Sequence, residues 1–260
     1  MSDAAQAVIP ELVRLNFETD EGYGSRARLG LIVLETDQTV EAEARSLTKD
    51  LDGVTIYHSR IHMEPEVTHD TLTAMKARLP GAAALLPKDF EFDAIGYACT
   101  SAATVIGSDA VAACIDSAHP GVPVTEPITA AIEAMHALGA QRVAIVTPYT
   151  AAVTAPVAER FATAGLVVTG LGSFMEASDL VVARIAPVSI AEGVRSIVQQ
   201  GVCDAVFVSC TSLRVLDAAP GLEAELGVPV VSSNMALLWH LLRLAGVNDD
   251  LSSFGQLFGC

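Results

Sequence analysis

Basic side chains are scarce in this chain: 15 Lys and Arg stand against 31 Asp and Glu, a formal charge of −16. No basic cluster offsets that excess, which argues against nucleic acid or an anionic membrane surface as a partner. No apolar run approaches the roughly 20 residues that cross a bilayer, so no membrane partner is expected either. The start, Met1-Ser2-Asp3-Ala4-Ala5, lacks the basic residues and apolar stretch of a secretion signal, and a cytoplasmic location is expected. Gly-x-Gly-x-x-Gly, a Walker-type loop and a Gly-x-Ser-x-Gly elbow are all missing, which leaves nucleotide binding and serine hydrolysis without support. The six histidines are scattered; His58 and His62 fall in a strand-like stretch with no third ligand, so no metal site is expected.

What is present is a well-packed composition, 51% apolar and 18% charged, over 260 residues. That length suffices for one large or two small domains with a sizeable core. Five cysteines, at 99, 114, 203, 210 and 260, are an odd number spaced unlike a zinc motif. Disulfides are not expected, and single thiols become candidates for chemistry.

Two of those thiols stand in the same tripeptide. Cys99-Thr100-Ser101 follows Asp93-Ala94-Ile95-Gly96-Tyr97-Ala98, and Cys210-Thr211-Ser212 follows Asp204-Ala205-Val206-Phe207-Val208-Ser209. Other segments repeat in the same order: Arg28–Val33 with Arg142–Thr147, Val54–Ile56 with Val167–Thr169, and Val122–Val124 with Val228–Val230. The spacing between partners drifts slowly in one direction, as a few loop deletions would produce. β-Branched runs alternating with Ala/Leu/Glu-rich stretches indicate an α/β fold with parallel sheets. The expected architecture is two pseudo-symmetric domains, each a four-stranded parallel sheet flanked by helices. An N-terminal arm is expected over 1–26, a first domain over 27–126 and a second over 127–234, with a C-terminal helix over 235–260 returning to the first domain. Ligands in such units sit beyond the carboxyl ends of the strands, which places the active site in the cleft between the halves.

Cys99 and Cys210 are the candidate catalytic residues. The stretch after each, Ala102–Val105 and Leu213–Leu216, is expected to be helical. N–H groups and the dipole at a helix start would stabilise a thiolate or a substrate carboxylate. Thr100, Ser101, Thr211 and Ser212 add hydroxyl donors for an enolate-like intermediate. Thiols on opposite faces of one carbon can remove a proton on one side and return it on the other, or add to a double bond and protonate it. No cofactor is needed for either course. Cys114 and Cys203 read as packing residues and Cys260 as a bystander. Tyr149, after Thr147-Pro148, is placed to donate its phenol to a substrate. Asn234 can bind ligand or cap the helix that follows it.

With those residues the chain resembles the aspartate/glutamate racemase superfamily, in the branch of maleate isomerases and arylmalonate decarboxylases. The resemblance covers about residues 27–246. It rests on Gly96–Ser101, Thr147-Pro148-Tyr149, Ser209–Arg214 and Ser232-Ser233-Asn234. It implies paired pseudo-symmetric α/β domains, cofactor-independent catalysis and a homodimer or higher homo-oligomer. Both cysteines being present, it points to isomerases or racemases rather than decarboxylases. In maleate isomerases a Pro-Ser-Ser-Asn-Thr segment follows the first strand, and its asparagine holds a substrate carboxylate. Here the segment is Leu34-Glu35-Thr36-Asp37-Gln38-Thr39, with Asp37 at that asparagine, and Ser178 or Asp179 replaces a second one. A carboxylate about 4 Å from a dianion costs a few kcal/mol even at an effective dielectric near 20. A substrate with an amino group would gain instead. Leu-Glu-Thr-Asp-Gln-Thr with Cys-Thr-Ser is most similar to the racemase-like proteins of ectoine utilisation. The expected function is therefore a two-cysteine isomerase or racemase acting beside the carboxylate of an amino-acid-like intermediate of ectoine breakdown. Maleate cis–trans isomerisation and Asp/Glu/hydantoin-type racemisation are the alternatives, with a non-catalytic binding protein behind them. Asp37, Asp179, Tyr149 and Asn234 join the hydroxyl residues as expected substrate contacts.

Overall fold

The computed structural model describes residues 10–260. Residues 1–9 of the expected arm lie outside the described residues; residues 10–23 are exposed and carry neither helix nor strand. The arm joins the body where the Arg28 guanidinium donates to the Glu21 and Tyr23 carbonyls.

Beyond it the β-branched runs become strands and the Ala/Leu-rich stretches become helices. In the first half these are β1 (Ala27–Leu34), α1 (Val40–Thr48), β2 (Val54–Ile61), α2 (His69–Ala83), β3 (Ala94–Ala98), α3 (Thr100–Ile106), α4 (Ser108–Asp116), β4 (Val124–Thr125) and α5 (Pro127–Ala137). The second half runs β5 (Arg142–Thr147), α6 (Ala151–Thr163), β6 (Val167–Ser173), α7 (Asp179–Val182), α8 (Pro187–Val198), β7 (Ala205–Val208), α9 (Ala219–Leu226), β8 (Val230–Ser232) and α10 (Ser233–Leu244). The strands form two parallel four-stranded sheets, ordered β2-β1-β3-β4 and β6-β5-β7-β8. Both follow one plan.

The equivalence reaches single residues. Leu29 pairs with Ala94 in one sheet as Val143 pairs with Ala205 in the other. The aspartate before each central strand repeats too: Asp93 accepts the N–H of Arg28 at 2.8 Å, and Asp204 that of Arg142 at 2.7 Å. The shared Asp-Ala lead-in thus fixes strand register at the amino end, while the cysteines stand at the carboxyl end. Central strands β3 and β7 are buried throughout, as expected for parallel strands covered on both faces.

In each sheet the chain runs outward from the first strand to its neighbour, then crosses back to the other side. The crevice this creates opens between the carboxyl ends of β1 and β3, and again between β5 and β7. The last helix ties the halves together. α10 begins at Ser233, directly after β8, yet lies against β3 of the first half and against α5, the helix that opens the expected second domain. Gly96 makes that approach possible, because a Cβ there would stand 2.9 Å from Leu241 Cδ1. The helix expected over 235–260 is shorter than the sequence pattern suggests. It stops at Leu244, Gly246 takes the left-handed conformation (φ 72°), and Ser252–Phe254 and Gln256–Gly259 form short 3-10 turns. Among the described residues no helix is long and apolar enough to cross a membrane.

Candidate active site

Both crevices supply side chains to one enclosed region. Cys99 follows β3 and Cys210 follows β7; Thr36 and Asp37 follow β1, and Tyr149 follows β5. Cys99 is 2% exposed, Cys210 4%, Tyr149 3% and Asp37 4%.

The two tripeptides are bonded across the domain boundary. Thr100 Oγ1 donates to Ser233 Oγ at 2.8 Å, and the same oxygen accepts the Cys210 N–H at 2.9 Å. Thr211 Oγ1 donates to the Ala98 carbonyl at 3.3 Å. Asp179, at the start of α7, accepts from Thr36 Oγ1 at 2.5 Å and from Ser212 Oγ at 3.1 Å. Thr39 Oγ1 donates to the Ser212 carbonyl at 2.9 Å. The hydroxyls of Thr100, Thr211 and Ser212 therefore already have protein acceptors and stitch the halves together. Ser101 lies beside the Cys99 sulfur at 3.7 Å.

The thiols sit in unlike backbones. Cys99 is the N-cap of α3 and its sulfur accepts the Ala102 N–H at 3.4 Å. The N–H groups of Thr100 and Ser101 occupy the first turn, where a helix has no internal acceptor to offer them. After Cys210 the expected helix does not form: residues 210–218 are a chain of turns before α9. Val215 and Leu216 direct their N–H groups to Glu43 instead of to helical carbonyls. Cys210 itself has φ 112°, in the left-handed region that non-glycine residues rarely occupy. Its sulfur accepts the Ser212 N–H at 3.4 Å.

Burial dominates the electrostatics. It pushes the Cys99 thiol up to about 11, against the pull of the Ala102 N–H and Ser101. Burial, reinforced by the nearby Asp179 carboxylate, drives Cys210 further in the same direction. No cationic side chain ranks among the main influences on either sulfur. Tyr149 is raised well above a normal phenol, first by burial and then by the charges of Cys210 and Cys99, which places it beside both. Burial holds both thiols toward the protonated form, and a positive charge arriving beside them would favour the thiolate.

Asp37 divides its two oxygens between two tasks. Oδ1 accepts the N–H groups of Thr39 at 2.7 Å and Val40 at 2.8 Å, capping α1. Oδ2 is buried and meets no donor in hydrogen-bonding geometry; the Thr211 hydroxyl, which donates to the Ala98 carbonyl, lies close enough to draw the carboxyl down in part. Burial lifts this carboxyl to about 6, with the Asp179 charge adding to it. Asn234 does not cap α10; that task falls to Ser232, whose Oγ accepts the Met235 N–H at 3.1 Å. Asn234 Nδ2 instead donates to Glu43 Oε2 at 2.8 Å and the Thr211 carbonyl at 2.9 Å, leaving Oδ1 unpartnered. Three residues central to this network, Glu43, Ser233 and Thr36, carry no signal in the repeated motifs. Glu43 does interrupt the buried Val40/Ala44/Leu47 stripe of α1, an anomaly legible in the sequence. Among the described residues no group of three His, Cys, Asp or Glu side chains is arranged to hold a metal. Cys114 and Cys203 lie outside these contacts, in α4 and just before β7.

Comparison with known proteins gives consistent relatives. The family model described as arylmalonate decarboxylase matches residues 29–258. An arylmalonate decarboxylase of Bordetella bronchiseptica is 38% identical over 140 residues, 53% of this chain and 58% of that protein. A maleate isomerase of Pseudomonas putida is 27% identical over 252 residues, 88% of this chain and 96% of that one. Among solved structures, a cysteine-to-serine mutant of Nocardia farcinica maleate cis–trans isomerase holds a covalently bound succinylcysteine intermediate. It superposes with a TM-score of 0.81 at 26% identity, covering 89% of this chain and 98% of that one.

Proposed function

Because this chain belongs to the arylmalonate decarboxylase family, we propose that it is a cofactor-independent isomerase of the racemase type. Cys99 and Cys210 act at a carbon next to a carboxylate, on an amino-acid-like substrate such as a diaminobutyrate-type intermediate of ectoine breakdown. The observation that carries the choice of substrate is Asp37: one carboxylate oxygen is buried without a donor, close to Asp179 and to thiols that lack a cation. An ammonium group supplies what these groups lack. It donates to Asp37 Oδ2, draws that carboxyl back toward ionisation, and favours the thiolate form of the neighbouring sulfurs. A dianion at the same place does the reverse.

The N–H groups of Thr100 and Ser101 are suited to the substrate carboxylate. One thiol gives up its proton to solvent as the substrate's ammonium group arrives; the resulting thiolate takes the α-proton, leaving an enolate-like carbanion, and the opposite thiol returns a proton to the other face. The pair exchanges roles for the reverse reaction, and the proton count is conserved. The experiment is a screen in D₂O by NMR, with acetylated and free diaminobutyrates, aspartate, glutamate, hydantoins and maleate. Deuterium entering one α-carbon of an amino-bearing substrate is the expected result; exchange into none of them defeats the proposal.

Maleate cis–trans isomerisation is the second reading, favoured by near full-length similarity to maleate isomerases. There one thiolate adds to the double bond, the central bond turns, and the thiolate leaves. Rapid conversion of maleate to fumarate would establish it and overturn the role given to Asp37.

A further inference from the structure

Glu43 is in the first half, on α1, and touches neither thiol. Its carboxylate nevertheless reaches the far end of the loop that carries Cys210, 172 and 173 residues away along the chain. Oε1 accepts the N–H groups of Val215 at 3.0 Å and Leu216 at 3.1 Å, the far end of that loop. Oε2 accepts Asn234 Nδ2, whose second hydrogen goes to the Thr211 carbonyl, next to Cys210. One side chain thus anchors both ends of residues 211–216, directly at one and through Asn234 at the other. We infer that Glu43 is a positioning residue that holds Cys210 in its left-handed backbone and keeps its sulfur enclosed.

Two features make such an anchor necessary. A non-glycine residue at φ 112° persists only where its surroundings over-determine it. Within the loop Leu213 bonds back to the Cys210 carbonyl at 3.4 Å and Ser212 to the Cys210 sulfur, but the N–H groups of Val215 and Leu216 find their acceptor outside it, on Glu43. A carboxylate serves here because it accepts three bonds and donates none. A glutamine would keep the two backbone bonds through its amide oxygen, but would turn an amide donor toward the Asn234 donor. The inference depends on the two-cysteine reading only for its effect on turnover, not for the conformational effect.

The test uses the full chain with E43A and E43Q, native alkylation by iodoacetamide, and peptide mass spectrometry that resolves each cysteine. Loss of the anchor opens the loop locally, so E43A is expected to alkylate at Cys210 about tenfold faster than wild type, with Cys99 within about twofold. E43Q is expected to fall between the two at Cys210. Wild-type rates at Cys210 in folded E43A and E43Q would overturn the inference. Equal acceleration of Cys99 and Cys210 would do the same, since it indicates general loosening. Should E43A fail to fold, the E43Q rates decide on the same terms. Absence of turnover on every amino-bearing compound would defeat the substrate proposal while leaving the alkylation pattern intact.

Discussion

Single residues set the chemistry, and their environments differ enough to be separated by mutation. C99S and C210S each replace a sulfur by a smaller, far less acidic hydroxyl. Each is expected to lose at least about a thousandfold in deuterium exchange while keeping the wild-type circular dichroism spectrum. Full activity in either would remove the paired-thiol mechanism. Asp37 makes a different prediction, about stability. Its carboxyl rises from an ordinary 3.8 to about 6 through burial, so between about pH 4 and pH 6 the folded chain holds a proton that the unfolded chain has released. Stability therefore falls as pH rises through that window, by about 3 kcal/mol once ionisation is complete. D37N keeps the bonds at the start of α1 through its amide oxygen and cannot ionise, so its urea midpoint is expected to decline less across that window than that of the wild type, the buried Glu43 carboxyl still contributing to the fall. The same variant should weaken binding of amino-bearing substrates above pH 6.

Among the elements, the most consequential is the short junction where β8 becomes α10. Ser233 is fully buried there, and its Oγ is the common acceptor for Thr100 and for the Cys210 N–H. S233A strands both donors, and urea unfolding should show a loss of about 2 kcal/mol, the cost of an unsatisfied buried group. A loss under half a kcal/mol would mean water replaces the hydroxyl. This level also marks the limit of what the sequence made legible. The two four-stranded parallel sheets and the placing of Cys99 and Cys210 at matching strand ends were readable because the repeat places equal residues at equal positions, down to Asp93 and Asp204. The turn after Cys210 was not. Leu213-Arg214-Val215-Leu216 is a good helix former, but the distant Glu43 carboxylate takes its N–H groups and the local preference yields. Asn234 reads as a helix cap for the same reason, because its partners are remote in the chain and the actual cap is Ser232.

At the scale of the whole molecule, the halves are joined by more than a cleft. α10 leaves the second sheet to pack on the first; hydrogen bonds donated by Thr36, Thr39 and Thr100, and one that Glu43 accepts from Asn234, cross the boundary. Part of the apolar face of the first sheet is therefore covered by a helix that follows the second. Calorimetry should accordingly give one transition, with the calorimetric and van't Hoff enthalpies equal within about 10%. Two resolved transitions would show that the sheets are independent. The difference between the thiol settings, a regular helix start at Cys99 and a left-handed residue at Cys210, has a consequence for reversibility. For the racemisation proposed above, the equilibrium constant between mirror images is one, so the Haldane relation would force kcat/KM to be equal in the two directions. The unlike backbones cannot favour either enantiomer at equilibrium. They can only make one direction slow and tight-binding and the other fast and weak, so the lopsidedness of the site is written into the separate values of kcat and KM.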